Sequence, residues 1–269
     1  AAKLGSSDFS ESVAVRARSG DMSLDAGTTL TAHDVQLATD NGNLTVAGTI
    51  DASGTKGGSI ELYANRGATA GTGKLILSGA LKAAGTEVLT TADGTRGQGG
   101  DITLGVSAAD ASLADQARLI LLGGSSIDVN AASGSAARDG TVTLRAPRVG
   151  TNDIAITGNA DGALTHQPGT TSAAIGTAIS GASSVVAEAV GVYATTGNLN
   201  IDSAQLTSWK TDTNTFMANA GTIKTRLGWT DAAYHVRPGI EARATGNITL
   251  ATDWDFQSKT GSVFDWRYL

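Results

Sequence analysis

The chain has 269 residues, among them 35 Gly and only 3 Pro, with no Cys and a formal net charge of −6. This balance excludes a collagen-like chain or Pro-rich linker, and it excludes disulfides, thiolate metal sites and Cys nucleophiles. It also argues against nucleic acid or an anionic membrane as partner, since no Lys/Arg run marks a basic footprint. Aromatic residues make up 4% of the chain, too few to fill an ordinary globular core, and Thr and Asp are prominent instead.

Coil-like alternation begins almost at once, in "SESVAVRARSGDMSL". A unit Gly–polar–apolar–polar–apolar then returns along the chain: "GDMSL" at Gly20, "GNLTV" at Gly42, "GSIEL" at Gly58, "GDITL" at Gly100, "GTVTL" at Gly140, "GNLNI" at Gly197 and "GNITL" at Gly246. Looser copies are "GKLIL" at Gly73, "ARLIL" at Ala117, "SSIDV" at Ser125 and "NDIAI" at Asn152. Alternation with period two predicts strands with one buried face, so Leu44 and Val46 point inward while Asn43 and Thr45 point outward. Shorter apolar pairs lie between the main units, at Val35/Leu37, Thr49/Ile50, Ala80/Leu81 and Ile127/Val129.

The steps from Gly20 to Gly42, Gly58 and Gly73 are 22, 16 and 15 residues, too short for a strand–helix–strand crossover of about 30 residues. Several short strands per turn, with no fixed period and a turn of roughly 15 to 27 residues, predict an all-β chain, a right-handed parallel β-helix. An antiparallel β-sandwich is the alternative, but it would space its strands evenly with hairpin returns. The alternation predicts one buried wall of Leu44, Val46, Ile60, Leu62, Ile102, Leu104, Val142 and Leu144. Gly and Asn at the corners are expected to supply left-handed backbone angles.

Three stretches depart from the pattern. "GVSAADASLADQARL" reads as a loop-helix excursion before Leu119, and Thr170 to Ser184 as a loop or weakly patterned coil. Between Ala204 and Gly239 the coil signature disappears. There Phe216, Ala220, Ile223 and Leu227 form a helical stripe, predicting a helix near 213–227 capped by Thr213 or Asn214 and ended at Gly228. It is expected to dock outside the coil stack with Lys224 and Arg226 toward water. The organisation read from this is coils over 1–205, an aromatic and helical insertion over 206–238, and further coils over 239–269 continuing past the segment.

Nine of the chain's twelve aromatics fall between Trp209 and Tyr268. One reading is bulk that covers the solenoid flank. The other is a platform for a carbohydrate or protein partner, with Trp209, Trp229, Tyr234, Trp254 and Trp266 as its candidate residues.

The ordered set "LTVAGTIDASG", "GSIEL", "GGDITL", "GTVTLRAPRVG", "DIAI", "FMANAGTIKTRL", "HVRPGIE", "TGNITLATDWDF" and "DWRYL" resembles filamentous haemagglutinin-type exoproteins, over about Ser19 to Leu269. Such proteins are very large and are secreted by Gram-negative bacteria through the two-partner route. The Asn-Pro-Asn-Gly signature of their secretion domain is absent, so the resemblance is to internal and C-terminal parts. It implies an extended right-handed β-helical fibre on the cell surface, acting in adhesion, aggregation or biofilm formation. It also implies an outer-membrane transporter as partner during secretion, and a host-cell or neighbouring-cell receptor or glycan as target. It supplies no catalytic residue.

Catalytic readings find little in the residues. Polysaccharide hydrolases on β-helices need neighbouring carboxylates to protonate the leaving oxygen and activate water. Asp253 and Asp255 alternate on one strand face without the adjacent Asp-Asp or Gly-His-Gly elements. His33, His166 and His235 lack metal-ligand spacing, and "GQGGD" at Gly97 lacks the ending of a phosphate loop. Asn43 and Asn247 match the glycosylation acceptor pattern but sit where a strand turns. The reading is a non-enzymatic shaft segment with no cofactor or metal; a lectin-like module and a polysaccharide-acting enzyme are the alternatives. The chain starts at Ala1 without a signal peptide or membrane span, as expected of a piece exported by a signal elsewhere. Neither end reads as a cap, although Phe9 is placed to plug the first coil. End-to-end self-association into fibres is therefore expected.

Overall fold

A computed structural model describes residues 11–67, 72–91, 94–132, 139–164 and 174–253. Coil follows coil, each laying strands into the same walls. The first coil is β1 (Ser12–Ala17), β2 (Met22–Leu24) and β3 (Thr29–Thr31), and the second β4 (Asp34–Thr39), β5 (Leu44–Val46) and β6 (Thr49–Asp51). The third is β7 (Ser59–Arg66), β8 (Gly73–Leu77) and β9 (Ala80–Lys82), after which β10 (Leu89–Thr91) and β11 (Gly94–Arg96) form an antiparallel hairpin. The fourth is β12 (Asp101–Ala108), a 3-10 helix (Ala111–Gln116), β13 (Ala117–Leu121) and β14 (Ser126–Asp128). The fifth is β15 (Gly140–Val149), β16 (Asp153–Ile154), β17 (Ile156–Thr157) and β18 (Ala178–Ser180). The chain then runs through β19 (Ala182–Thr195), β20 (Leu199–Ile201), α1 (Ser203–Met217), α2 (Ala220–Arg226), β21 (Tyr234–Ala244) and β22 (Ile248–Leu250).

Three stacked parallel walls result, and β20 pairs β22 in a further two-stranded parallel sheet. The first wall is β1-β4-β7-β12-β15-β19-β21, the second β2-β5-β8-β13-β17 and the third β3-β6-β9-β14-β18. Side chains stack in register up each wall. On the first, Val13 pairs with Val35, 22 residues on, then Ile60 after 25, Ile102 after 42, Val142 after 40, Val185 after 43 and Tyr234 after 49. The first two coils thus fall within the 15–27 residues expected from sequence, and the later ones are longer. The steps of 16 and 15 are passages between walls, the first from the second wall of one coil to the first wall of the next and the second within a coil, and the later coils carry the hairpin and helices as insertions.

All eight residues of the expected buried wall are sealed, none more than 1% exposed. They form two walls rather than one. Ile60, Leu62, Ile102, Leu104, Val142 and Leu144 belong to the first, whereas Leu44 and Val46 stack on Leu75 and Leu77 in the second. Period two fixes which face is inward but not which sheet a strand joins.

The corner glycines supply left-handed angles at some positions, among them Gly27, Gly124 and Gly181, as expected, while no described Asn does and others have a different role. Among the described residues no non-Gly position has positive φ, and of the unit glycines Gly20 (φ +86°) and Gly197 (φ +92°) do. At Gly58, Gly100 and Gly140 the constraint is close stacking. A Cβ there would lie 1.8 Å from the His33 carbonyl oxygen, 2.0 Å from that of Gly58 and 1.8 Å from that of Gly100. The polar residue after the glycine ties coils together. Asp21 Oδ1 accepts the Asn43 N–H (2.8 Å), Asn43 Oδ1 the Lys74 N–H (2.9 Å), and Asn198 Oδ1 the Asn247 N–H (2.9 Å).

The helical excursion starts ten residues earlier than expected. Asp202, not Thr213 or Asn214, caps α1, accepting from the Gln205 N–H at 2.9 Å. Gly228 ends the second helix in the left-handed region (φ +75°), as expected. The helices dock on the stack through Phe216, Ile223 and Leu227, as expected, and lie over the end of two walls. The second and third walls end at β17 and β18, and Phe216, Ile223, Leu227 and Trp229 join the same core as the coils. The Ile175 N–H donates to Leu227 O (3.4 Å). Arg226 does not face water: it donates to Ile154 O (3.0 Å), Ile156 O (2.8 Å) and Asp153 Oδ1 (2.7 Å). Carbonyls that a next strand would have paired are thus satisfied by the helix. The excursion before Leu119 is the 3-10 helix, capped by Asp110, and within Thr170–Ser184 the strands at Ala178–Ser180 and from Ala182 fit the weakly patterned coil of the two readings.

Candidate functional site

Two of the aromatic candidates are interior. Trp209 is 2% and Trp229 5% exposed, and neither indole N–H meets an acceptor among the described residues. Trp209 stacks on Tyr193 and Trp229 on half-buried Tyr234, both at 5.0 Å between ring centroids. An open stacking platform is therefore not met at Trp209 or Trp229. Trp254 and Trp266 lie outside the described residues, as do Asp255 and His166. Asp253 and His235 are exposed. Asn43 is half-buried and its Oδ1 is occupied by Lys74 N and Thr72 Oγ1 (2.8 Å), while Asn247 is exposed. No group of three or more metal-ligating side chains occurs among the described residues.

A groove forms where the first wall loses a strand. Pro147 pairs with Val190, and there the β15–β19 ladder stops. Pro has no N–H to continue it, and Gly150 (φ +58°) turns the chain so that β16 folds back antiparallel, Arg148 against Ile154. β19 runs on to Thr195 with β21 as its only strand partner there among the described residues. The Val185 N–H and Thr195 C=O bond toward the β21 side. By the alternation of a parallel ladder, the amides of Val192 and Ala194 point the other way, into the gap.

Two adjoining cavities of about 440 and 480 Å³ follow this free edge, sharing Ala111, Val192 and Tyr193. Val190 to Tyr193 line the first without a break, and Val192 to Thr195 the second. The 3-10 helix and its cap contribute Asp110, Ala111, Ser112 and Ala114. Helix α1 contributes Gln205 and Trp209 on one side, Asp212, Thr215 and Phe216 on the other.

Arg148 supplies the charge. Its Nε donates to Ala189 O (3.2 Å), and its Nη2 to Gly239 O (3.2 Å) and Thr213 Oγ1 (3.1 Å). The guanidinium carbon lies 4.8 Å from the Phe216 ring centroid, held flat against Gly191, where a Cβ would sit 3.4 Å from it. Burial pulls its pKa below the ordinary value, yet an Arg keeps its charge. It forms no ion pair among the described residues, and Nη1 has no protein acceptor without being sealed from solvent. Beside it Tyr193 donates its hydroxyl to Asp212 Oδ2 (3.1 Å). Burial pushes the phenol up to about 12, with the Asp212 charge and hydrogen bond adding to the rise and Arg148 opposing it. The site therefore holds the Arg148 charge, a Tyr193 phenol whose proton rests on Asp212, the carboxylates of Asp212 and Asp110, and the backbone edge of β19.

Sequence reasoning missed this groove. "LRAPRVG" contains both Pro147 and Arg148, and Pro within a strand run was the signal available for a break in the ladder. The partner across the gap comes from a different coil, which no local pattern shows. Comparison with protein-family models, curated proteins and solved structures gives no significant match, so the likeness to filamentous haemagglutinin-type exoproteins rests on the quoted residues alone.

Proposed function

We propose that this chain is a shaft segment of a right-handed β-solenoid filament on a bacterial surface, contributing length and rigidity to adhesion, aggregation or biofilm formation. One observation carries the reading: the apolar interior passes in register from coil to coil, as in Ile60–Ile102–Val142–Val185. Such a stack is a continuous beam in which each repeat is braced by its neighbours. Right-handedness is favoured by the twist of strands joined to parallel neighbours in one sheet. Secretion through an outer-membrane transporter, and a surface receptor or glycan as target, follow from the family resemblance. A lectin-like module built on Trp209 and Trp229 has less support, because both rings are buried.

Electron micrographs of the native assembly test the proposal. Filaments with a cross-section of one solenoid are expected; isolated compact particles would overturn it.

A further inference from the structure

We infer that the groove along the free edge of β19 binds an extended peptide of a partner protein, adding it as a strand to the first wall and holding an acidic side chain of that peptide on Arg148. This goes beyond the shaft reading and does not depend on it. Three observations converge.

The first is an open strand position. From Gly191 to Thr195 the edge has no strand partner among the described residues where β15 would have continued, a length of about 16 Å at the ~3.3 Å rise of a parallel strand. The second is shape. The open volume lies against consecutive residues of that edge, the side to which the Val192 and Ala194 amides point. A peptide satisfies such an edge with alternating N–H and C=O groups; a glycan has no matching spacing, which decides between the two.

The third is charge. Arg148 is half-buried, has no carboxylate partner among the described residues and keeps Nη1 unbonded. Asp212 acts on the guanidinium through space without a salt bridge and already holds the Tyr193 hydroxyl, so a carboxylate that can approach the unbonded Nη1 is favoured.

The test is fluorescence anisotropy with a labelled, end-blocked peptide, Glu-Thr-Val-Thr-Val-Thr-Glu, and its Gln-for-Glu analogue, on the full chain. Acid at both ends makes the probe indifferent to strand direction. Saturable binding is expected, weaker by about tenfold for the Gln analogue. Arg148→Gln should erase the difference between the two peptides. Because Arg148 also braces Ala189 and Gly239, a second variant is needed. Ala194→Pro removes an edge N–H that β21 does not use, and should weaken both peptides about equally, by roughly tenfold, with the melting temperature little changed. Equal affinity for the two peptides in the parent protein would overturn the inference. So would binding untouched by Ala194→Pro, absence of peptide binding, or binding of a glucuronate oligosaccharide in its place. Failure here leaves filaments in the micrographs unaffected, so the two proposals fall separately.

Discussion

Asn43 reaches across one coil boundary to Lys74: its side-chain oxygen accepts the Lys74 backbone N–H at 2.9 Å and the Thr72 hydroxyl at 2.8 Å. Below it, Asp21 Oδ1 accepts the N–H of Asn43 itself. The corner Asx residue is thus a clamp between successive turns. Asn43→Ala is expected to cost about 1–3 kcal/mol, because a half-buried N–H loses its acceptor, and to lower the melting temperature by several degrees. Asn43→Asp, which keeps the acceptor, should lose much less. Thermal melts of the two variants side by side check this; equal melts would remove the clamp.

The rung Leu62–Leu104–Leu144 on the first wall gives a second expectation. Leu104 is fully buried, so Leu104→Ala should destabilise by about 2–5 kcal/mol. Leu104→Asp should unfold the coils that touch it, since an unpaired buried carboxylate costs several kcal/mol or more. Hydrogen exchange should show protection lost first in β7, β12 and β15. A Leu104→Asp protein with native strand content and an unchanged melting temperature contradicts the wall.

Much of this architecture was legible in the residues, and what was not has identifiable causes. Alternation shows that Leu44 and Ile60 are both inward, but not that they face each other from different sheets, because period two carries no information about sheet membership. A glycine in sequence signals either a left-handed angle or a close approach. Gly58, Gly100 and Gly140 are of the second kind, visible only once the carbonyl of the neighbouring coil is in place. The start of α1 was readable, since Asp202 and Gln205 have the spacing of a capping box. Thr213 in the middle of the Leu206–Trp209–Thr213–Phe216 stripe concealed it; that hydroxyl is buried because Arg148 donates to it. The groove was least legible, as it depends on where a ladder between distant coils ends.

Arg226 is the strut of the helical closure. Its side chain is 16% exposed and its Asp153 partner 26%, and it also serves the Ile154 and Ile156 carbonyls. Arg226→Met should cost about 2–3 kcal/mol, somewhat less than breaking a fully buried pair, and should expose the Ile175 amide and α2 to exchange. Arg226→Lys should recover only part of this, since an ammonium cannot span the carboxylate and both carbonyls as a planar fork does. Urea unfolding with hydrogen exchange separates the cases; full rescue by Lys would mean that charge alone matters.

Tyr193 provides a pH signature. Its ordinary pKa of 10.0 rises to about 12 in the folded chain, burial being the main cause. The folded state therefore holds the phenol proton more tightly than the unfolded state. The stabilisation is complete below pH 10 and is lost as pH rises from about 10 to about 12. Asp212→Asn removes the neighbouring negative charge, so phenolate formation at Tyr193 should shift to lower pH. Absorbance titration, with Tyr193→Phe to assign the step, measures it. An unshifted step in Asp212→Asn would show that burial alone sets the value.

Self-association is the remaining expectation of a filament segment, and two exposed side chains mark where to test it. Ile248 is 48% and Leu250 62% exposed, on β22, which has β20 as its only strand partner among the described residues. They occupy alternate positions of one strand, in register with Leu199 and Ile201 below, and Ile201 is buried. An open strand edge with apolar residues on it recruits further strands, and burying two such side chains contributes about 1.5–3 kcal/mol each. The parent chain should sediment as a concentration-dependent mixture. Ile248→Asn with Leu250→Asn should move that mixture toward monomer, because the polar amides remove the apolar gain. Two positively charged residues at the same positions should act more strongly in low salt, since like charges then meet across the contact. If the parent is a dispersed monomer at high concentration, or if the double variant associates equally well, this edge does not join one segment to the next.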